Sequence, residues 1–249
     1  MLRDPIYPVL RETASNAARR IGPPSFYRIH KKELEKSLLF FSESEVLVKC
    51  RSYLDESKMH PAHGIRHGEM VAIEAGAVLQ IESSAGDRER TDELMLCAQI
   101  AGLFHDIKRN EEDHTAKGGI EAGKILEDFD LDARYKRYIT AAIRNHEAFK
   151  EVLASEDEDA KLISDSLYDA DKFRWGPDNF TTTLWLIMES SGTPARELYR
   201  NFLEKMKGVR RIKETFRTET GKRFGPEFID LGIEIGDEIY REMGNLLGR

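Results

Sequence analysis

The chain has 249 residues, 40% of them apolar and 33% charged, with a formal net charge of −7. That length suffices for a substantial core, no run of about 18 apolar residues offers a membrane span, and the acidic balance argues against a surface for polymeric DNA or RNA. It leaves room for a local basic patch that receives a small phosphorylated ligand. The N-terminus, with Asp4, Pro5, Arg11 and Glu12, lacks the basic-then-apolar form of a secretion signal, so a cytoplasmic protein is expected. Cys50 and Cys97 show no CxxC spacing and read as reduced core residues.

Taken in order, residues 1–55 read as an N-terminal helical extension, broken at Gly22-Pro23-Pro24. It continues as one long helix from Leu34 to Tyr53 with Leu38, Leu39, Val46, Leu47 and Cys50. Pro61 and Gly64 mark a loop that opens into a helix at about His67, whose stripe is His67, Val71, Ala75 and Val78, with His63 left at the rim. Asp87 to Arg90 is a polar turn and Thr91 the expected cap of the next helix, on which Leu94, Cys97, Ala98, Ala101 and His105 share one face. Lys108 to Asp113 is a charged surface loop. Then come a stripe of His114, Gly118, Ala122 and Ile125, with Gly118-Gly119 permitting close helix packing, and another of Tyr135, Ile139, Ala142 and His146. An acidic turn at Ser155 to Asp159 precedes a helix aligning Ala160, Ser164, Leu167 and Asp171. Further helices are expected over Asp178 to Glu189, from Ala195 to about Phe216, and after Pro226, with a turn at Thr220-Gly221. Period-two alternation is almost absent, so the fold should be all-α, a compact multi-helix bundle with the chemistry at its centre. Residues 56–180 form its core domain and 181–249 complete it.

Five of these helices each end or begin on ligand-type residues: His67, His105 with Asp106, His114, His146 and Asp171. Buried imidazoles each need a partner, and an unmet one costs about 1–3 kcal/mol. A divalent ion meets several at once, and imidazole with carboxylate suits Mn, Fe, Ni or Zn. Cations stand near them in the chain: Lys108 and Arg109 after the His-Asp doublet, Arg144 before His146, Lys172 and Arg174 after Asp171. The basic run Lys207 to Lys213, with Arg217, Lys222 and Arg223, can cap the pocket or simply face water.

The segments His63-Gly64-Ile65-Arg66-His67, Gly102-Leu103-Phe104-His105-Asp106-Ile107-Lys108 and Tyr168-Asp169-Ala170-Asp171-Lys172-Phe173 resemble the HD superfamily of metal-dependent phosphohydrolases, over about half the chain. The resemblance implies His67, His105, Asp106 and Asp171 as ligands of a first metal; Asp169 fits by type, but Asp171 matches the family position. It also implies His114 and His146 as ligands of a second ion or of a substrate phosphate, although His114 follows Asp106 unusually closely and Asn145 stands where some members have histidine. The expected catalytic residues are Asp106, Lys108 and Lys172, with Arg109, Arg144 and Arg174 binding substrate. The implied activity is hydrolysis of a phosphate ester or anhydride of a small metabolite such as a nucleotide, by a metal-activated water with one or two ions. The alternatives are a di-iron oxygenase of the same fold and a non-catalytic metal- and nucleotide-binding sensor. A homodimer is compatible with the sequence.

Overall fold

The computed structural model describes residues 4–83 and 87–248, and every regular element among them is a helix. Helix α1 (Tyr7–Ile21) carries a proline in its first turn, where the missing N–H costs nothing, and stops at Gly22, whose φ of 83° lies in the left-handed region. Helices α2 (Ser25–Ile29), α3 (Lys31–Glu43) and α4 (Glu45–Ser52) follow. The single helix expected over Leu34 to Tyr53 is thus two. Ser44 leaves helical geometry (φ −73°, ψ 114°), and its side chain caps the Leu47 N–H. The break separates two faces: Leu47 and Cys50 are buried, while Leu38 and Leu39 are half exposed.

Helices α5 (Ile65–Glu82) and α6 (Arg88–Phe104) form the centre of the molecule. They approach so closely that a Cβ on Gly102 would lie 2.5 Å from the Ala72 Cα. The cap of α6 is Asp87, which accepts from the Glu89 N–H; Thr91, expected in that role, lies in the first turn and donates back to the Asp87 carbonyl. Helices α7 (His114–Leu126) and α8 (Ala133–Arg144) pack through Gly119, where a Cβ would come within 2.7 Å of the Arg144 Cγ. Helix α9 (Glu158–Phe173) is capped by Asp157. A π-helical turn over Asn179–Thr183 leads into α10 (Leu184–Ser191), and α11 (Ala195–Ile212) and α12 (Glu219–Leu246) close the chain.

The C-terminal boundaries differ from those expected. Helix α11 stops at Ile212 rather than near Phe216, and α12 begins at Glu219, so that Gly221 and Pro226 lie inside it. Thr218 starts the helix by accepting from the Gly221 N–H at 2.8 Å. Gly221 is glycine for a packing reason, because a Cβ there would overlap the Asp169 carboxylate.

Two apolar cores share α5 and α9. One gathers residues of α4 to α9, among them Leu94, Phe104, Ile139 and Leu167. The other joins α1, α2 and α10 to α12 to Val78 of α5 and Phe173 of α9, with Phe173 and Phe228 stacked at 4.2 Å. The direction of α9 positions the chemistry. An ion pair from Arg90 to Asp159 places the start of α9 beside the start of α6, so the two run in parallel and deliver His105 and Asp171 to the same end. The intervening segment, residues 145–157, returns along the bundle. Asn145 staples it, donating to the Leu153 carbonyl at 3.1 Å and accepting from the Leu153 N–H at 2.9 Å.

Candidate metal centre

Five helix termini meet at that end of the bundle. His67 lies in the first turn of α5, His105 and Asp106 at the end of α6, His114 at the start of α7, His146 just past α8 and Asp171 in the last turn of α9. His105, Asp106, His146 and Asp171 are buried, and His67 nearly so. Donor atoms bound to one ion at about 2.0–2.2 Å stand ~3.0–3.6 Å apart. The observed spacings fall close to this: His67 Nε2 to His105 Nε2 is 3.2 Å, His105 Nε2 to Asp106 Oδ2 3.3 Å, His67 Nε2 to Asp171 Oδ1 3.5 Å and His105 Nε2 to Asp171 Oδ1 3.7 Å.

Which atoms face inward is fixed by the backbone. His105 Nδ1 lies 2.8 Å from the Gly102 carbonyl, and His146 Nδ1 lies 2.7 Å from the Ile143 carbonyl. A carbonyl only accepts, so both rings carry their proton on Nδ1 and turn the Nε2 lone pair toward the carboxylates. This tethering orients imidazoles as ligands. Asp106 Oδ1 is buried without a hydrogen-bond partner, a costly state for a carboxylate oxygen unless a cation meets it. These residues fit a divalent ion.

The electrostatics agree. Burial opposes ionisation of Asp106, but His105, His146 and His63 outweigh it and hold the carboxyl well below the usual range. Asp171 is held down in the same way by Lys172, His67 and His105 against its burial. Burial pushes the imidazoles of His67 and His114 down to about 4, leaving them neutral and able to ligate. His105 moves up despite its burial, drawn by Asp106 and Asp171. A field that attracts a proton to this point attracts a metal ion to it as well.

Of the cations expected at the site, Arg109 and Lys172 meet the ligands there, while Lys108, Arg144 and Arg174 do not. Arg109 Nη1 lies 2.6 Å from His114 Nε2 and 3.9 Å from Asp106 Oδ1. Lys172 is buried, donating to Asp171 Oδ2 at 2.5 Å and to the His146 carbonyl at 3.0 Å. Lys108 instead points away, with Glu111 at 3.5 Å and Glu121 at 4.0 Å. Arg144 is exposed, its stem over Gly119. Arg174, the residue that ends α9, also leaves the site: it is buried among Glu74, Tyr27 and Asp178, whose charges and hydroxyl hold the guanidinium away from the cavity. Asp169 is separate from the cluster, accepting from the Arg217 and Thr218 N–H groups at 2.8 Å, with burial pushing its carboxyl up to about 6.

His63, placed at the rim by the sequence, is part of the cluster, its Nδ1 only 2.8 Å from Asp106 Oδ2, though not aligned as a hydrogen bond. The signal that could have found it is the three-histidine run His60, His63, His67. Beside the cluster opens a cavity of about 210 Å³, lined by His63, Arg109 and Lys172 and also by Phe149, Trp175 and Ile212. The apolar wall was not foreseen, since its residues come from three distant segments.

No family model matches the chain, and neither a curated protein nor a solved structure matches it. Fold and site therefore define the protein as all-helical, with a buried His/Asp cluster able to hold a metal. No helix among the described residues is long and apolar enough to cross a membrane.

Proposed function

We propose that the protein is a metal-dependent phosphohydrolase of the HD type, acting on a small phosphorylated metabolite such as a nucleotide. The observation that carries this reading is the pair of donor groups, His67 with His105 and Asp171 and His105 with Asp106 and His146, that share His105 beside a cavity also lined by two cations. His67, His105, Asp106 and Asp171 would hold one Mn, Fe, Ni or Zn ion. When bound, such an ion supplies a water acidified to near-neutral pKa and a Lewis acid for a phosphoryl oxygen.

The rest is done by the chain. Arg109, at the cavity edge, offers N–H groups to phosphoryl oxygens, the geometry in which guanidinium exceeds ammonium. Lys172 is a positioning residue: it fixes the Asp171 carboxylate and the His146 backbone together, and its ammonium lies 4.9 Å from the centre of the Tyr168 ring. Asp106, with Oδ1 free of hydrogen bonds, can orient or deprotonate an attacking water. Phe149, Trp175 and Ile212 present an apolar surface to the organic part of the substrate.

The test is release of inorganic phosphate from nucleoside mono-, di- and triphosphates and from an aryl phosphate ester. Purified protein is assayed with Mn, and again after chelation. Metal-dependent release supports the reading. Nucleotide binding without release in the metal-loaded protein favours the sensor instead, and turnover that requires iron and oxygen favours the oxygenase.

A further inference from the structure

The cluster has a second half. Around Asp106 Oδ1 stand His146 Nε2 at 3.5 Å and His114 Nε2 at 3.8 Å. These three lone-pair atoms come from three different elements, but His114 does not close with the other two to the spacing that one ion imposes. A cation is already bound among them. Arg109 Nη1 is 2.6 Å from His114 Nε2 and 3.9 Å from Asp106 Oδ1.

Resting on the metal-centre reading, we propose that Arg109 holds the position of a second ion, so that the protein works with one divalent metal and one guanidinium. The hydrogen-bond chemistry is unambiguous. A guanidinium has only donors, so His114 Nε2 must be the acceptor, and the lone pair that would bind an ion is committed to Arg109. A metal at this point must displace the guanidinium. The displacement is opposed locally, because Arg109 is tied to the centre through the chain: its N–H donates to the Asp106 carbonyl at 2.9 Å, closing the turn after α6. The high effective concentration of a tethered group favours it over a free ion. The short interval from Asp106 to His114, with Asp113 in left-handed geometry at φ 54°, then has a purpose. It brings His114 onto Arg109 while the guanidinium still lines the cavity, where a phosphoryl group would bridge it and the metal.

The experiment counts ions. Wild-type protein, Arg109→Gln and the double variant Arg109→Gln with His114→Ala are stripped with chelator and titrated with Mn in a calorimeter. Electron paramagnetic resonance then reports whether bound Mn ions are coupled. The expected stoichiometries are one, two and one, with spin coupling only in Arg109→Gln. Two equivalents in the wild type overturn the proposal while leaving the metal centre standing, and so does a single equivalent in a folded Arg109→Gln. No binding to the wild type removes the metal reading and this proposal with it. The wild-type count decides against the proposal even if Arg109→Gln fails to fold.

Discussion

Helices α5 and α9 carry two buried charge clusters side by side, and the pair differs in where its positive charge comes from. Seven residues after His67 comes Glu74; three after Asp171 comes Arg174. Glu74, Arg174 and the Tyr27 hydroxyl bond one another, and Asp178 meets Arg174 at 2.5 Å. Here the chain supplies its own cation, directly between the carboxylates. In the other cluster Asp106 and Asp171 face the lone pairs of four imidazoles, while Lys172 binds one oxygen of Asp171 and Arg109 lies against His114. The first cluster is closed and ties α2 to α5 and to the end of α9. The second can accept a divalent ion. Burial of charge alone therefore does not mark a site; an excess of convergent acceptors over donors does.

The largest effect should come from removing charge at the open cluster. Asp106→Asn keeps the side-chain shape but loses a carboxylate shared by both halves. Bound metal should fall, and phosphate release should drop by about 100- to 10,000-fold, with the circular dichroism spectrum unchanged. A variant that keeps metal and full activity would take Asp106 out of the machinery. At the closed cluster the expected loss is in stability. Glu74→Ala leaves Arg174 buried without its main partner and should cost about 3–5 kcal/mol in urea unfolding. Replacing the pair together, Glu74→Leu with Arg174→Met, should recover most of it. Neither change should alter metal stoichiometry, and if Glu74→Ala did, the two clusters would be one coupled network.

Helical periodicity made much of this legible. The stripes ending on His105 and beginning on His67 are buried as the spacing requires, because a 3.6-residue period maps directly onto one face of one helix. The family resemblance, together with the face shared with Leu167, favours Asp171 over Asp169, and the structure puts Asp171 beside His67 while Asp169 holds the start of α12. What periodicity cannot show is which way a residue past a helix end turns. Lys108 and Arg109 both gain from proximity to the doublet in sequence, and Arg174 follows Asp171, yet of these three only Arg109 faces the cavity. His63 sits in a loop with no period to read, and the Phe149, Trp175 and Ile212 wall depends on the return path of residues 145–157, set by Asn145 and by the Arg90 pair far along the chain.

Gly102→Ala tests the link between packing and the centre. The new methyl would strike the Ala72 backbone, an overpacking that costs about 1–3 kcal/mol. The carbonyl of the same residue holds His105 Nδ1, so its displacement should also weaken metal binding by about 10- to 100-fold. Calorimetric titration beside thermal melting separates the two effects. A stability loss with metal affinity intact would show that the His105 tether is not what sets its ligand geometry.

The smallest effect is expected at Lys108, and it discriminates most finely between sequence proximity and structure. It follows Asp106 by two residues, as Lys172 follows Asp171 by one, and the sequence assigns both to catalysis. The structure separates them: Lys172 is buried on Asp171, whereas the Lys108 ammonium lies partly exposed between Glu111 and Glu121. Surface pairs of this kind contribute little, so Lys108→Ala should change stability by no more than about 0.5 kcal/mol and leave phosphate release unaltered. Lys172→Met removes the group that fixes Asp171 and the His146 backbone and should lower both metal affinity and turnover. A tenfold loss in Lys108→Ala, equivalent to about 1.4 kcal/mol of barrier, would mean that the turn after α6 swings Lys108 inward when substrate binds, and would restore it to the site.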